Sequence, residues 1–267
     1  MSDREEAGMH LPYADEKIEG VRVERYGEPS SLPSLLFVHG GTQGSWAWEH
    51  VARDLAGRGW HSSCLNWFGH HGSDALAPAE ARERSIMDVT REIRVVADRL
   101  PDDPVLIAHS MGGLAALAYA SKYPVKALVL LTPVVPGKHA GAEIPLPIDP
   151  STMWLIPAEA LRQVFWDAVG DDEAQRYASL VVPESPRAVI EATRWTVDLD
   201  VSSITAPAYL LGAERDSIIP HEFVESLAEE MGAEYDLLPE QGHGVILNPI
   251  REEVAARISR WLDKTVR

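Results

Sequence analysis

Ser110, Asp216 and His243 have the types, order and surroundings that suit nucleophilic chemistry. Ser110 lies in AHSMGG, between the apolar run PVLI and the helix-like stretch LAALAYASKYP. A serine at that junction is an ordinary helix N-cap. It is also where a nucleophile is lifted on a tight strand-to-helix turn, which needs small residues two before and two after it. Here those are Ala108 and Gly112; the full pattern has glycine at the first position, and alanine is still small. A serine needs a base, and the base an orienting acid. Asp216 follows an apolar run in YLLGAERDSIIP, and His243 sits in the glycine-flanked loop of LLPEQGHGVILNP. Singly they read as a turn aspartate and a loop histidine. Together, in the order Ser–Asp–His and each just past the carboxyl end of an expected parallel strand, they point to acyl transfer, because open sheets place ligands there. Asp198 and Asp200 are second candidates for the acid. The oxyanion of such a reaction needs amide donors. Met111, after the serine, supplies one; the other is assigned to Gly41 in VHGGTQG, with Thr42 as the alternative.

These residues need a scaffold. SLLFV (34–38), PVLIA (104–108), VKALVLL (125–131), PAYLLG (207–212) and AEYDLL (233–238) read as strands, and GWHSSCLNW (59–67) as a weaker one. KIEGVRVERYG (17–27) reads as one or two edge strands. Helices are expected from SWAWEHVARDLAGRG (45–59), with Trp48, Val51 and Leu55 on one stripe, and from SIMDVTREIRVVADRL (85–100), opened by a Ser85–Asp88 capping box. Residues 112–123, 220–232 and 249–262 complete the set. Strand and helix alternate, which implies crossover connections and a parallel sheet covered by helices. The alternation stops at Pro133, where prolines 133, 136, 145, 147, 150 and 157 exclude a regular strand. Helical patterns follow at 157–169, 171–181 and 186–196. The reading is therefore an α/β core of residues 1–133 and 205–267, with 1–12 as a tail and 134–204 as a helical insertion.

Composition narrows the partners. The chain has 267 residues, 45% of them hydrophobic, and 41 acidic against 24 basic side chains give a formal charge of -17. Such a surface repels nucleic acid and anionic lipid. No apolar run is long enough to span a bilayer, and the acidic N-terminus has no secretory pattern. Cys64 is the single cysteine, so no intrachain disulfide forms; the expected location is the cytoplasm, and Cys64 reads as a core residue. Neither His70 nor His71 has a third ligand at suitable spacing, so no metal is expected. The sequence carries no signal for an oligomeric state.

The residues quoted also carry a family resemblance over roughly positions 20 to 265. The chain resembles the α/β-hydrolase-fold serine hydrolases. HGGTQGSWAWEHVARDLAGRGW is most similar to the corresponding segment of the plant methylesterase and hydroxynitrile lyase branch, and FGHHGSD resembles that family's GHG.SD loop, with His71 where glycine is usual. The resemblance implies a mostly parallel twisted sheet flanked by helices, with 134–204 as a cap over the active site. It implies a serine esterase that needs no cofactor and acts on a small ester, with one or two of Trp154, Phe165, Trp166, Tyr177 and Trp195 lining an apolar pocket. A lactonase or lyase with the same triad, and a non-catalytic ligand receptor on the same fold, are the alternatives. For the lyase reading, the lysine that cyanohydrin cleavage would require is not identifiable in the cap.

Overall fold

A computed structural model describes residues 13–267; the expected tail at 1–12 lies outside the described residues. In chain order the first half comprises β1 (Tyr13–Ile18), β2 (Val21–Tyr26), β3 (Leu35–Val38), α1 (Glu49–Gly57), β4 (Ser62–Leu65), α2 (Pro78–Glu83), α3 (Thr90–Ala97), β5 (Val105–His109), α4 (Met111–Ala120) and β6 (Ala127–Leu131). After β6 come α5 (Ala158–Phe165), α6 (Asp171–Leu180) and α7 (Pro186–Arg194). The chain then closes with β7 (Ala208–Ala213), α8 (His221–Met231), β8 (Glu234–Leu238) and α9 (Arg251–Thr265).

The strands form one eight-stranded sheet in the order β1-β2-β4-β3-β5-β6-β7-β8. β1 and β2 pair antiparallel, as do β2 and β4; every other pairing is parallel. The parallel strands β3, β5, β6 and β7 are buried along their whole length, as strands covered on both faces must be. Alternation of side chains divides them between two cores. Leu36, Val38, Leu106 and Leu128 pack with α3, α4 and α8, while Leu35, Phe37, Val105 and Val129 pack with α1 and α9.

Several elements differ from the sequence expectation. β2 is internal, because β1 begins at Tyr13 and takes the edge. β4 is fully buried despite Ser62 and Ser63, since pairing with β2 and β3 satisfies its backbone. The Ser85–Asp88 capping box forms, but it opens a 3-10 turn at Ile86–Val89, and the α-helix starts only at Thr90. A similar turn, Ser45–Trp48, precedes α1. α2 buries no side chain, so no apolar stripe announces it. α5 stops at Phe165, short of 169, where its last carbonyl approaches Gly244 so closely that any Cβ there would collide with it. His71 has φ +34°, the left-handed region that favours glycine, which accounts for the glycine usual at that place in the resembled loop.

Candidate active site

β5 and α4 position Ser110. Its backbone sits at φ +55°, ψ −126°, a strained conformation for a residue with a side chain. Three backbone bonds hold it there: Ser110 N–H donates to Leu131 O (3.2 Å), and Ser110 O accepts from the Gly113 and Val134 amides (2.9 Å each). The elbow also needs α4 to approach the end of β3. A Cβ at Gly112 would collide with the backbone carbonyl oxygens of Val38 and His39. Ala108 is buried opposite Val38 in the register of β3 and β5. Gly112 is therefore required by packing as well as by the turn.

The loops after β7 and β8 bring the other two residues to the same point. His243 Nε2 lies 2.9 Å from Ser110 Oγ, and His243 Nδ1 lies 2.7 Å from Asp216 Oδ2. Asp216 fulfils its turn reading as well: its Oδ1 accepts from the amides of Ile218 and Ile219, both at 2.9 Å. One oxygen thus shapes the loop while the other faces the imidazole. Asp198 and Asp200 are exposed, and Asp200 accepts from the Ser202 amide and hydroxyl, so the structure does not bring them to this point.

The loop after β3 lies against the elbow. Gly41, Thr42, Ser110 and Met111 line one cavity. Three amides of this loop are engaged, while the buried Gln43 Nε2 has no partner among the described residues. The Gly40 N–H meets Gln43 Oε1 (3.2 Å), the Gln43 N–H meets Gly40 O (3.4 Å), and the Thr42 N–H meets Glu184 Oε2 (3.0 Å). Among the described residues the Gly41 and Met111 amides have no hydrogen-bond partner. Thr42, the alternative donor, is committed elsewhere.

The cavity has a volume of about 640 Å³ and is walled largely by the segment between β6 and β7. Ile144, Leu146, Trp154, Ile156, Val164 and Phe165 face it, and among its described lining residues Asp149 is the sole charged one. Of the five aromatic residues of this segment, Trp154 and Phe165 line the cavity, and the Phe165 ring meets His243 edge-on at 5.4 Å. Trp166, Tyr177 and Trp195 are buried in the cores instead.

Other residues near the site were not anticipated. His109 is fully buried, and burial, followed by repulsion from a charged His243, pushes its pKa down to about 3. The neutral ring donates from Nε2 to His243 O (3.0 Å), which fixes the loop carrying His243. Its place beside Ser110 was the available signal. His39, held neutral mainly by burial, bonds through Nδ1 to Gly40 O (2.7 Å) and accepts the Trp67 amide at Nε2 (3.2 Å). His70 and His71 face different partners: His70 meets Glu184 (3.2 Å), and His71 accepts from Trp46 Nε1 (3.1 Å). Glu184, which is 142 residues from Thr42, had no local signal.

Residues 35–256 match the family model described as alpha/beta hydrolase family. The chain belongs to the alpha/beta hydrolase family. Human monoacylglycerol lipase ABHD6 is 23% identical over an alignment covering 93% of this chain and 81% of that protein. The rice (Oryza sativa subsp. japonica) esterase PIR7B is 30% identical, over 42% of this chain and 43% of its own length. Among solved structures, the Arabidopsis methylesterase MES16 superposes with a TM-score of 0.70 at 17% identity, covering 87% of this chain and 99% of that one; this likeness speaks for the fold. No helix of the described residues is long and apolar enough to cross a membrane.

Proposed function

We propose that this protein is a serine hydrolase that cleaves carboxylic esters with a neutral, largely apolar acyl group. The observation that carries the reading is the chain of contacts from Ser110 Oγ through His243 to Asp216, at 2.9 and 2.7 Å, opening on the apolar cavity. Ser110 Oγ attacks the ester carbonyl while His243 Nε2 takes its proton. Asp216 keeps the Nδ1–H tautomer and stabilises the imidazolium. The negative charge that develops on the carbonyl oxygen is met by the amides of Gly41 and Met111, the latter at the N-terminus of α4, where the helix dipole adds to it. Collapse of the tetrahedral species breaks the C–O bond, and His243 hands its proton to the leaving alcohol. Water, activated by the same histidine, then attacks the acyl-enzyme; addition and collapse release the acid and restore Ser110. No step draws on a metal or an organic cofactor. The segment 134–204 acts as the cap that selects the acyl group.

The names of the relatives, a monoacylglycerol lipase and an esterase, accord with this reading. The basic residues nearest the site in sequence do not oppose it. Arg215 pairs with Glu240, Arg162 with Asp171, and Lys138, the lysine of the insertion, with Glu230, so each is engaged away from the cavity lining. The lyase alternative is therefore not favoured.

The test is a panel of esters, lactones and thioesters assayed with wild type and Ser110→Ala, together with labelling by a serine-directed phosphonate. Turnover of esters above the other classes, label on Ser110 alone, and a loss of several orders of magnitude in Ser110→Ala are expected. Retention of more than a tenth of the activity in Ser110→Ala overturns the mechanism.

A further inference from the structure

The insertion does more than wall the cavity: it grips the loop after β3. Thr42 is held at both of its backbone groups by the extended stretch between α6 and α7. Val182 N–H donates to Thr42 O (3.0 Å), and Thr42 N–H donates to Glu184 Oε2 (3.0 Å). Thr42 needs such a grip, because it stands at φ +63°, which a β-branched residue adopts only when its surroundings impose it. Glu184 is itself held in place. It is 1% exposed, and its second oxygen accepts the Ser185 amide (2.9 Å). Its backbone pairs with Trp154 in an antiparallel bridge of 2.7 and 2.9 Å, and Trp154 lines the cavity.

A carboxylate here is a puzzle for an esterase, since negative charge beside the oxyanion opposes the reaction. A Cβ built on Gly41 would lie 3.5 Å from Glu184 Oε2, which is how near the carboxylate comes to this loop. The answer is its partner. His70 Nε2 is 3.2 Å from Glu184 Oε2, and His70 Nδ1 is 3.3 Å from Phe68 O. Both ring nitrogens thus face oxygen atoms, and the ring fills the space beside the carboxylate. Burial on its own would raise the Glu184 carboxyl, but attraction to His70, the hydrogen bond between them and the Thr42 and Ser185 amides outweigh it and hold it below the ordinary glutamate range. Both oxygens of the carboxylate are thus met: Oε2 by the Thr42 amide and His70, Oε1 by the Ser185 amide.

We propose that Glu184 is a positioning residue for ester hydrolysis: its carboxylate turns the Thr42 amide away from the cavity and locks the loop so that the Gly41 amide is the one presented to the substrate carbonyl. The proposal rests on the ester-hydrolase reading. Glu184 touches neither substrate nor Ser110, so its removal acts on the transition state through the loop. A donor displaced from the developing oxyanion loses its bond there, while ground-state binding in the apolar cavity persists.

The test compares wild type, Glu184→Ala and Glu184→Gln, with Glu191→Gln as a control. Glu191 is also a buried acceptor of the insertion, bonding the Ser85 hydroxyl and the Ile86 amide, and it does not line the cavity. Each variant is measured for kcat and KM on the best ester of the panel, for thermal stability, and for affinity toward a trifluoromethyl ketone, which forms a tetrahedral adduct with Ser110. In Glu184→Ala, kcat is expected to fall about 10- to 100-fold with KM within about threefold, and ketone affinity to fall by the same factor as kcat. Glu184→Gln keeps one oxygen for the Thr42 amide, recovers part of the loss, and carries the test should Glu184→Ala fail to fold. Glu191→Gln is expected to lose stability but keep wild-type kcat. Unchanged kcat in a folded Glu184 variant overturns the positioning role alone, as does a loss that Glu191→Gln reproduces in proportion to its lost stability. Absence of ester turnover in wild type, with no phosphonate label on Ser110, overturns the ester reading itself.

Discussion

Asp216→Asn separates the two jobs of one side chain. The aspartate accepts two loop amides at Oδ1, from Ile218 and Ile219 at 2.9 Å, and faces His243 Nδ1 with Oδ2 at 2.7 Å. Asparagine keeps an oxygen for the amides, so the loop holds. Its NH2 group then stands where Oδ2 was, and a donor cannot face the Nδ1–H. The imidazole answers by moving its proton to Nε2, which leaves it pointing a proton at Ser110 Oγ, 2.9 Å away, with nothing to receive one. In the serine protease template of this triad the same change lowers kcat about 10⁴-fold, equivalent to about 5.4 kcal/mol of transition-state stabilisation. A fall of that order is expected here, with wild-type stability. Asp216→Ala behaves differently, because it also strips the two loop amides of their acceptor. It should lose the activity and about 2–4 kcal/mol of folding stability. The assay is kcat on an activated ester beside urea unfolding of both variants. Activity above a tenth of wild type in Asp216→Asn refutes the tautomer argument. If activity is instead lost in Asp198→Asn or Asp200→Asn, the acid lies elsewhere.

Gly112→Ala should destabilise the fold by about 1–3 kcal/mol or more, since the new methyl meets the fixed carbonyls of Val38 and His39 rather than a side chain that can swing aside; urea unfolding measures it, and wild-type stability refutes it. A matched pair of esters with and without a distal carboxylate should differ at least tenfold in kcat/KM in favour of the neutral one, about 1.4 kcal/mol, because a chain of charge -17 supplies no described basic residue to the cavity lining. Part of that difference should shrink with added salt, as long-range repulsion is screened over about 10 Å at 0.1 M. Faster turnover of the anionic ester would show that Arg215, Lys138 or Arg162 leaves its acidic partner to clamp the substrate.

Sequence alone determined whatever is encoded locally. The strands β3, β5, β6 and β7 were legible because burial on both faces writes an unbroken apolar run. The Ser110 elbow was legible because crowded backbones demand small neighbours within two residues. Asp216 and His243 were legible from chain order and from their places past strand ends. Helix limits were less so: Thr90 opens an α-helix that the capping box five residues earlier does not, because a 3-10 turn intervenes. What only the tertiary structure decided depends on contacts between distant segments. Two of the five aromatic residues of the insertion, Trp154 and Phe165, face the cavity, a choice made by how the insertion folds back on the core. The Thr42 amide donates to Glu184, 142 residues away, and no local pattern links them. A local motif records the sterics of its own turn; the partner of a buried amide is set by whichever chain crosses it, and that is decided only when the insertion and the sheet pack together.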